Sequence, residues 1–328
     1  MVEPHIDARR LMRRLAALGA VLRETNARTL PTFLDFYRRF PHYGFWAADE
    51  RAPSEFARCD FAKIATDNEG GERRLMDEIL DEVADYLRGA ERVLFITCAG
   101  ISADSGLPTY RGVGGLYQDQ LTTDEMPIEV VLSSEMLNRR PELTWKYVFE
   151  IEKACRGAVF NRGHQIIAAL EAQKPGTWVL TQNIDGLHRR AGSRNLIEIH
   201  GHLWDLYCRR RDYAEQVEDF SGLDLPPRCP QCGGLVRPDV VFFGEMLPED
   251  KVEQLYRELD RGFDMVFSVG TTSVFPYITE PVLQARRQGW PTVEINPGVT
   301  EISEIVDFRV GMGAMEALVA LWERCNGS

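Results

Sequence analysis

Four short runs of apolar residues constrain this chain most. They are RVLFIT (92–97), TWVLT (177–181), DMVFSVG (264–270) and PTVEIN (291–296). A strand that is apolar at successive positions presents both faces to a core, as strands of a parallel sheet covered on both sides do. Between these runs lie stretches with apolar residues at helical spacing: RRLMDEILDEVADYLRG (73–89), NRGHQIIAALEAQ (161–173) and ITEPVLQARRQG (278–289). In the first, Leu75, Ile79, Leu80, Val83 and Leu87 share one face and Gly89 supplies a stop. The alternation predicts an α/β protein built on an open parallel sheet.

With 328 residues the chain is long for one core, so one large domain with an insertion, or two domains, is expected. No apolar run approaches the roughly 18–20 residues that span a bilayer. The first twenty residues mix arginines with Glu3 and Asp7 and hold no apolar h-region, so neither a secretory signal nor a transit peptide is read. A net charge of −12 argues against a nucleic-acid partner, whose phosphates need clustered Lys and Arg. Seven scattered cysteines fit a reducing, cytoplasmic setting better than a disulfide framework. Residues 1–71 read as a separate extension of unknown role. A helix is expected over 6–26, an aromatic packing segment over 33–46 and a linker at TDNEGGE (66–72).

In open α/β sheets ligands sit beyond the carboxyl ends of the strands. The four exits are Cys98-Ala99-Gly100-Ile101-Ser102, Gln182-Asn183-Ile184-Asp185, Thr271-Thr272-Ser273 and Asn296-Pro297, all small or polar. Small residues allow close approach of a diphosphate, and free N–H groups at a helix start bind its charge. The first exit alone, without GxGxxG, reads more readily as a plain strand–helix turn.

Six stretches, in order, resemble the sirtuins, NAD-dependent protein deacylases. They are TCAGISADSGLPTYRG (97–112), TQNIDGLHRRAG (181–192), EIHGHL (198–203), CPQCGGLVRPDVVFFGEMLP (229–248), VGTTS (269–273) and VEINPG (293–298). The resemblance covers roughly 75–328 and is to a divergent, bacterial-type member. It implies a Rossmann-like sheet with a small inserted module, part helical and part degenerate zinc ribbon, over about 111–165 and 200–237 of a catalytic domain spanning 72–328. It implies that NAD is cleaved to nicotinamide while the acyl group of a lysine, on a protein or peptide, passes to ADP-ribose. His200 becomes the general base, in keeping with the histidine pKa of about 6.5, with Asn183 and Asp185 in the nicotinamide pocket. Cys98, Ala99, Gly100, Ser102, Asp104, Tyr110, Arg111, Gln182, Gly270, Thr271, Thr272 and Asn296 become cofactor-binding. Val241, Phe242 and Gly244 become substrate-binding through strand addition. His188 and His202 are read as structural. Without the resemblance, His200 is more readily a structural histidine than a base, and PDVVFFGE just another apolar strand.

Four departures from the family pattern stand out. Cys98 replaces a glycine, Tyr110 replaces a phenylalanine, and GTTSVFP (270–276) is one residue short before its proline. The family's four-thiolate zinc site keeps Cys208, Cys229 and Cys232 but has Arg211 in fourth place. Zinc is then either lost or completed by His202, Asp212 or another group, and packing of Trp204, Leu206 and Tyr207 is an alternative support for the module. The tyrosine and arginine that select acidic acyl chains fall near Val148 and Ile151, so neutral acyl groups are expected. ADP-ribosyl transfer, NAD hydrolysis and a non-catalytic NAD-binding module remain as alternatives. Oligomeric state is left open.

Overall fold

In the computed structural model, residues 69–108 and 121–327 are described. The expected N-terminal helix and aromatic segment, and Tyr110 and Arg111, lie outside them; of the linker expected over 66–72, residues 69–72 are instead the first turn of a helix, which starts before the expected 73. The described residues open with helix α1 (Glu69–Gly89), then β1 (Val93–Thr97), a one-turn helix α2 (Ala99–Ser102) and a 3-10 turn at Ala103–Ser105. Three helices follow, α3 (Ile128–Val131), α4 (Ser134–Arg139) and α5 (Pro141–Cys155), then α6 (Arg162–Gln173), β2 (Trp178–Thr181), α7 (Leu187–Ala191) and β3 (Leu196–Glu198). Next come β4 (Gly201–Cys208), β5 (Ala214–Gln216) and β6 (Val236–Val240). The chain ends with α8 (Glu249–Asp260), β7 (Met265–Val269), α9 (Pro276–Gln288), β8 (Thr292–Ile295), β9 (Phe308–Val310) and α10 (Ala314–Asn326).

Six strands form one parallel sheet in the order β3-β2-β1-β7-β8-β9. Numbered along the chain within this sheet, the order is 3-2-1-4-5-6, the doubly wound dinucleotide-binding order. The continuous apolar runs now have their physical cause. Along β1, Val93 and Phe95 enter a core built with α1, α6 and α10. Leu94 and Ile96 enter a second core built with α8 and α9 on the opposite face. Phe95 stacks on Phe267 of β7, ring centroids 4.8 Å apart. On α1 the buried stripe is Leu80, Val83, Ala84 and Leu87, while Leu75 of the expected face is exposed.

A third core joins α3, α4 and α5 to β4 and β6. There β5-β4-β6 form a small antiparallel sheet. Trp145 is fully buried, donates its indole N–H to the Val236 carbonyl at 3.2 Å and packs on Phe220. Val148 and Ile151 are buried in this same core. Among the described residues no helix is long and apolar enough to cross a membrane.

Candidate active site

The order of the large sheet reverses between β1 and β7, and there the two chains come closer than any side chain permits. The Gly100 amide donates to the Gly270 carbonyl at 3.0 Å. A Cβ on Gly100 would lie 2.4 Å from the Gly270 Cα, and one on Gly270, whose φ is +60°, 2.6 Å from the Gly100 backbone. The result is a cradle floored by backbone at the topological switch point, where a dinucleotide's diphosphate is held in such sheets.

Beside the cradle, strand exits converge through a buried network. Ser102 donates from Oγ to Asp185 Oδ2 at 2.7 Å. Asn183 donates from Nδ2 to Ser102 Oγ at 3.1 Å and to the Cys98 carbonyl at 3.0 Å. The Leu187 amide donates to Asp185 Oδ1 at 2.9 Å. Asp185 is almost wholly buried, and loss of water pushes its carboxyl above the usual range despite these donors. On the other side, Gln182 donates from Nε2 to Thr271 Oγ1 at 3.0 Å, and Asn296 from Nδ2 to the Thr271 carbonyl at 3.1 Å. Thus Ser102, Gln182, Asn183, Asp185, Thr271 and Asn296 lie in two short chains of hydrogen bonds around the Gly100–Gly270 contact. Ala99 is half-buried next to it, while Asp104 and Thr272 are exposed. Cys98 is half-buried, and burial pushes its thiol up to about 11, so it is a neutral thiol at physiological pH.

His200 sits in the turn between β3 and β4. Its Nδ1 lies 3.0 Å from the Gln182 carbonyl, which only accepts, so Nδ1 carries the proton and Nε2 the lone pair. Nε2 faces the Tyr277 hydroxyl at 2.7 Å. Burial lowers the ring's pKa to about 4, partly opposed by the Gln182 carbonyl. His188 is buried against Thr97 Oγ1 at 2.9 Å. The ring of His202 lies against Gly186, with its Nδ1 3.3 Å from Asp205.

Two residues of this neighbourhood escaped the sequence reading. Asn161 caps α6 and also donates from Nδ2 to the Ile101 carbonyl at 2.7 Å, tying the cradle loop to that helix. Its only signal is an asparagine at the head of the helical stretch 161–173, which by itself marks a helix start and not a tie to the cradle loop. Tyr277 follows the shortened GTTSVFP loop; the shortening was visible, its consequence was not.

The apolar stretch after Arg237 ends its strand at Val240 and then bends. The amides of Val241, Phe242 and Phe243 are already engaged, by the His200 carbonyl at 3.0 Å, Glu245 Oε2 at 2.9 Å and the Leu132 carbonyl at 2.9 Å. Phe242 is buried beneath the Arg237 guanidinium, Val241 is partly exposed and Gly244 exposed. Arg237, itself buried, clamps the bend by pairing with both carboxylate oxygens of Glu245 and with the Val240 carbonyl at 2.6 Å.

Cys208, Cys229 and Cys232 bring their sulfurs within 4.8 Å of one another. The Cys208–Cys232 separation of 3.7 Å matches an edge of a tetrahedral zinc–thiolate site, about 3.8 Å for a Zn–S bond of about 2.3 Å. Three corners therefore fit zinc. Among the described residues neither His202 nor Asp212 joins them, so the expected side-chain completions fail. Trp204 and Leu206 are buried in the module core, and Tyr207 packs against Arg237.

The Sir2 family model matches residues 98–276. A Pseudomonas aeruginosa protein named NAD-dependent protein deacylase 2 is 55% identical over 240 residues, which cover 72% of this chain and 93% of that protein. A solved Sir2 homologue–NAD complex is similar with a TM-score of 0.68 and 32% identity over 75% of this chain and 93% of that one. A Sir2 variant solved with a deacetylated p53 peptide and 3′-O-acetyl ADP ribose gives a TM-score of 0.67 and 30% identity, over 74% of this chain and 97% of that one.

Proposed function

The chain belongs to the Sir2 family and is an NAD-dependent protein deacylase, and from that premise we propose that the network of Ser102, Asn183, Asp185 and His200 is its catalytic centre. The observation that carries this reading is the placement of His200. Its ring is fixed by a backbone carbonyl at Nδ1, which leaves Nε2, facing the Tyr277 hydroxyl at 2.7 Å, as the basic atom.

NAD, when bound, supplies a ribose carbon from which nicotinamide can leave in favour of the acyl oxygen of a lysine. The chain's own residues do the rest. The Gly100–Gly270 cradle receives the diphosphate, because the missing Cβ atoms let the two strand exits close on each other and floor the switch point with backbone. Asn183 and Asp185 line a nearly dry pocket in which charge developing on the ribose is felt strongly. Asp185 is oriented by Ser102 and the Leu187 amide, so its carboxyl cannot turn away. His200 accepts a ribose hydroxyl proton at Nε2, while Nδ1–H stays on the Gln182 carbonyl, which favours the imidazolium formed.

The acyl-lysine peptide lies against the bend after β6, where Gly244 and Met246 are exposed. Because the amides of Val241, Phe242 and Phe243 and the carbonyls of Val240, Phe242 and Phe243 are used internally, the peptide pairs with the Val241 carbonyl and the Gly244 backbone. Val148 and Ile151 offer no cation to an acidic acyl group, which supports neutral acyl chains. Cys208, Cys229 and Cys232 would hold a structural zinc, fastening the end of β4 to the CPQC turn, with a non-protein ligand at the fourth corner. Residues 111–165 and 200–237 form the small module of a 72–328 catalytic domain.

The test is nicotinamide release by the purified protein with and without an acetyl-lysine peptide. Release that requires the peptide is expected. Equal release without it would favour NAD hydrolysis or ADP-ribosyl transfer.

A further inference from the structure

The lone pair that His200 needs as a base is already in use. Nδ1 is committed to the Gln182 carbonyl at 3.0 Å, so Nε2 is the only acceptor on the ring, and it sits 2.7 Å from the Tyr277 hydroxyl. With Nε2 unprotonated, the Tyr277 O–H is the donor. An imidazole nitrogen has one lone pair in the ring plane and accepts one strong hydrogen bond, so a second hydroxyl at Nε2 competes with the first. Tyr277 is held there by its neighbours. It is the second residue of α9, directly after Pro276, and its ring stacks on Phe275 with centroids 5.5 Å apart and meets the His200 ring edge-on at 5.9 Å.

We infer that Tyr277 caps the base: its hydroxyl occupies Nε2 of His200, and a ribose hydroxyl of the nucleotide must displace it before the histidine can take a proton. This rests on the reading of His200 as the general base. Tyr277 is then a positioning residue. It keeps the imidazole, neutral through burial, aimed while the site is empty of nucleotide, and it makes cofactor binding carry the cost of breaking one partly buried hydrogen bond. No net proton moves in the exchange, since one neutral O–H donor replaces another; the proton leaves the ribose only in the later base step. Among the described residues, titratable groups on neighbouring elements include Tyr277 on α9, His202 on β4, Asp185 beyond β2 and Asp239 on β6, and the histidine's shift comes from burial and the Gln182 carbonyl rather than from any of them.

The test uses the full chain and Tyr277→Phe, which keeps the ring and removes the hydroxyl. ADP-ribose, which carries the ribose hydroxyls and no leaving group, is the probe in calorimetry. Binding to the variant is expected to be roughly two- to tenfold tighter, the range set by losing one competing neutral hydrogen bond. In a pH titration of the His200 ring by nitrogen-15 NMR, the Nε2 resonance of the neutral form is expected to move downfield, because its lone pair loses a hydrogen-bond donor. A ring that merely packs moves neither quantity. Unchanged affinity with an unmoved Nε2 resonance would overturn the cap, and weaker binding would overturn it by making Tyr277 a ligand of the nucleotide. Tyr277→Leu carries the same expectations and serves if the phenylalanine variant does not fold. If wild-type protein shows no peptide-dependent nicotinamide release, the deacylase reading fails, but the titration arm still decides whether Tyr277 closes Nε2.

Discussion

One backbone carbonyl determines how His200 can act. By taking the Nδ1 proton, the Gln182 carbonyl leaves Nε2 as the basic atom and fixes the plane of the ring. Replacing His200 by Ala is therefore expected to preserve NAD binding while lowering kcat about 10²–10⁴-fold, read by calorimetry beside a turnover assay; undiminished kcat would remove His200 from the chemistry. Because burial lowers its pKa to about 4, the acid limb of kcat/KM belongs near pH 4 rather than near 6.5, and a rate profile from pH 4 to 8 reads it. Asp185 shows the opposite shift: burial raises its carboxyl above the ordinary value. A folded pKa above the unfolded one means that the buried charge opposes folding at neutral pH. Asp185→Asn keeps an acceptor for the Leu187 amide without the charge, so it is expected to raise the urea midpoint at pH 7 while abolishing turnover. A lowered midpoint would show the carboxylate to be well compensated.

The elements are held to their task by contacts that only particular residues allow. Gly270 has a φ of +60° and lies against the Gly100 backbone, so Gly270→Ala adds both left-handed strain and a steric clash. A loss of about 2–4 kcal/mol is expected, measured by urea denaturation, together with loss of NAD binding, since the strand exits must part. The same scale shows what a sequence can reveal. The strands β1, β2, β7 and β8 were legible because each is buried on both faces, which leaves no polar period to confuse them. The edge strands β3 and β9 were not, because three residues such as Leu196–Glu198 carry too little pattern. PDVVFFGE read as one strand because its apolarity continues past Val240. What bends it is the pairing of Arg237 with Glu245, eight residues apart, which no local pattern announces. The network of Ser102, Asn183 and Asp185 could be placed at strand exits, but its hydrogen bonds depend on which strands are neighbours. Tyr277 was invisible for the same reason: its partner His200 is 77 residues away in sequence.

At the scale of the whole molecule, a doubly wound sheet collects residues from its strand exits at one edge, and a smaller layer of helices and antiparallel strands carries the bend after β6. Several histidines are enclosed in this arrangement. His164 and His200 are lowered to about 4 and His188 well below its ordinary value, each by burial. Their folded pKa values lie below the unfolded value near 6.5, so the unfolded chain takes up protons that the folded one refuses. Stability is accordingly expected to fall as the pH drops from about 6.5 to about 4, with Asp185 alone among these groups working against the trend. Urea midpoints at pH 7 and pH 5 test this, and a higher midpoint at pH 5 would contradict it. The central claim, that this fold couples NAD cleavage to removal of an acyl group from lysine, is tested most directly by the fate of the acyl group. With an acetyl-lysine peptide and NAD, mass spectrometry is predicted to find one free lysine and one acetylated ADP-ribose for each nicotinamide released. Nicotinamide released with the peptide still acetylated, or acetate freed without consumption of NAD, would contradict it.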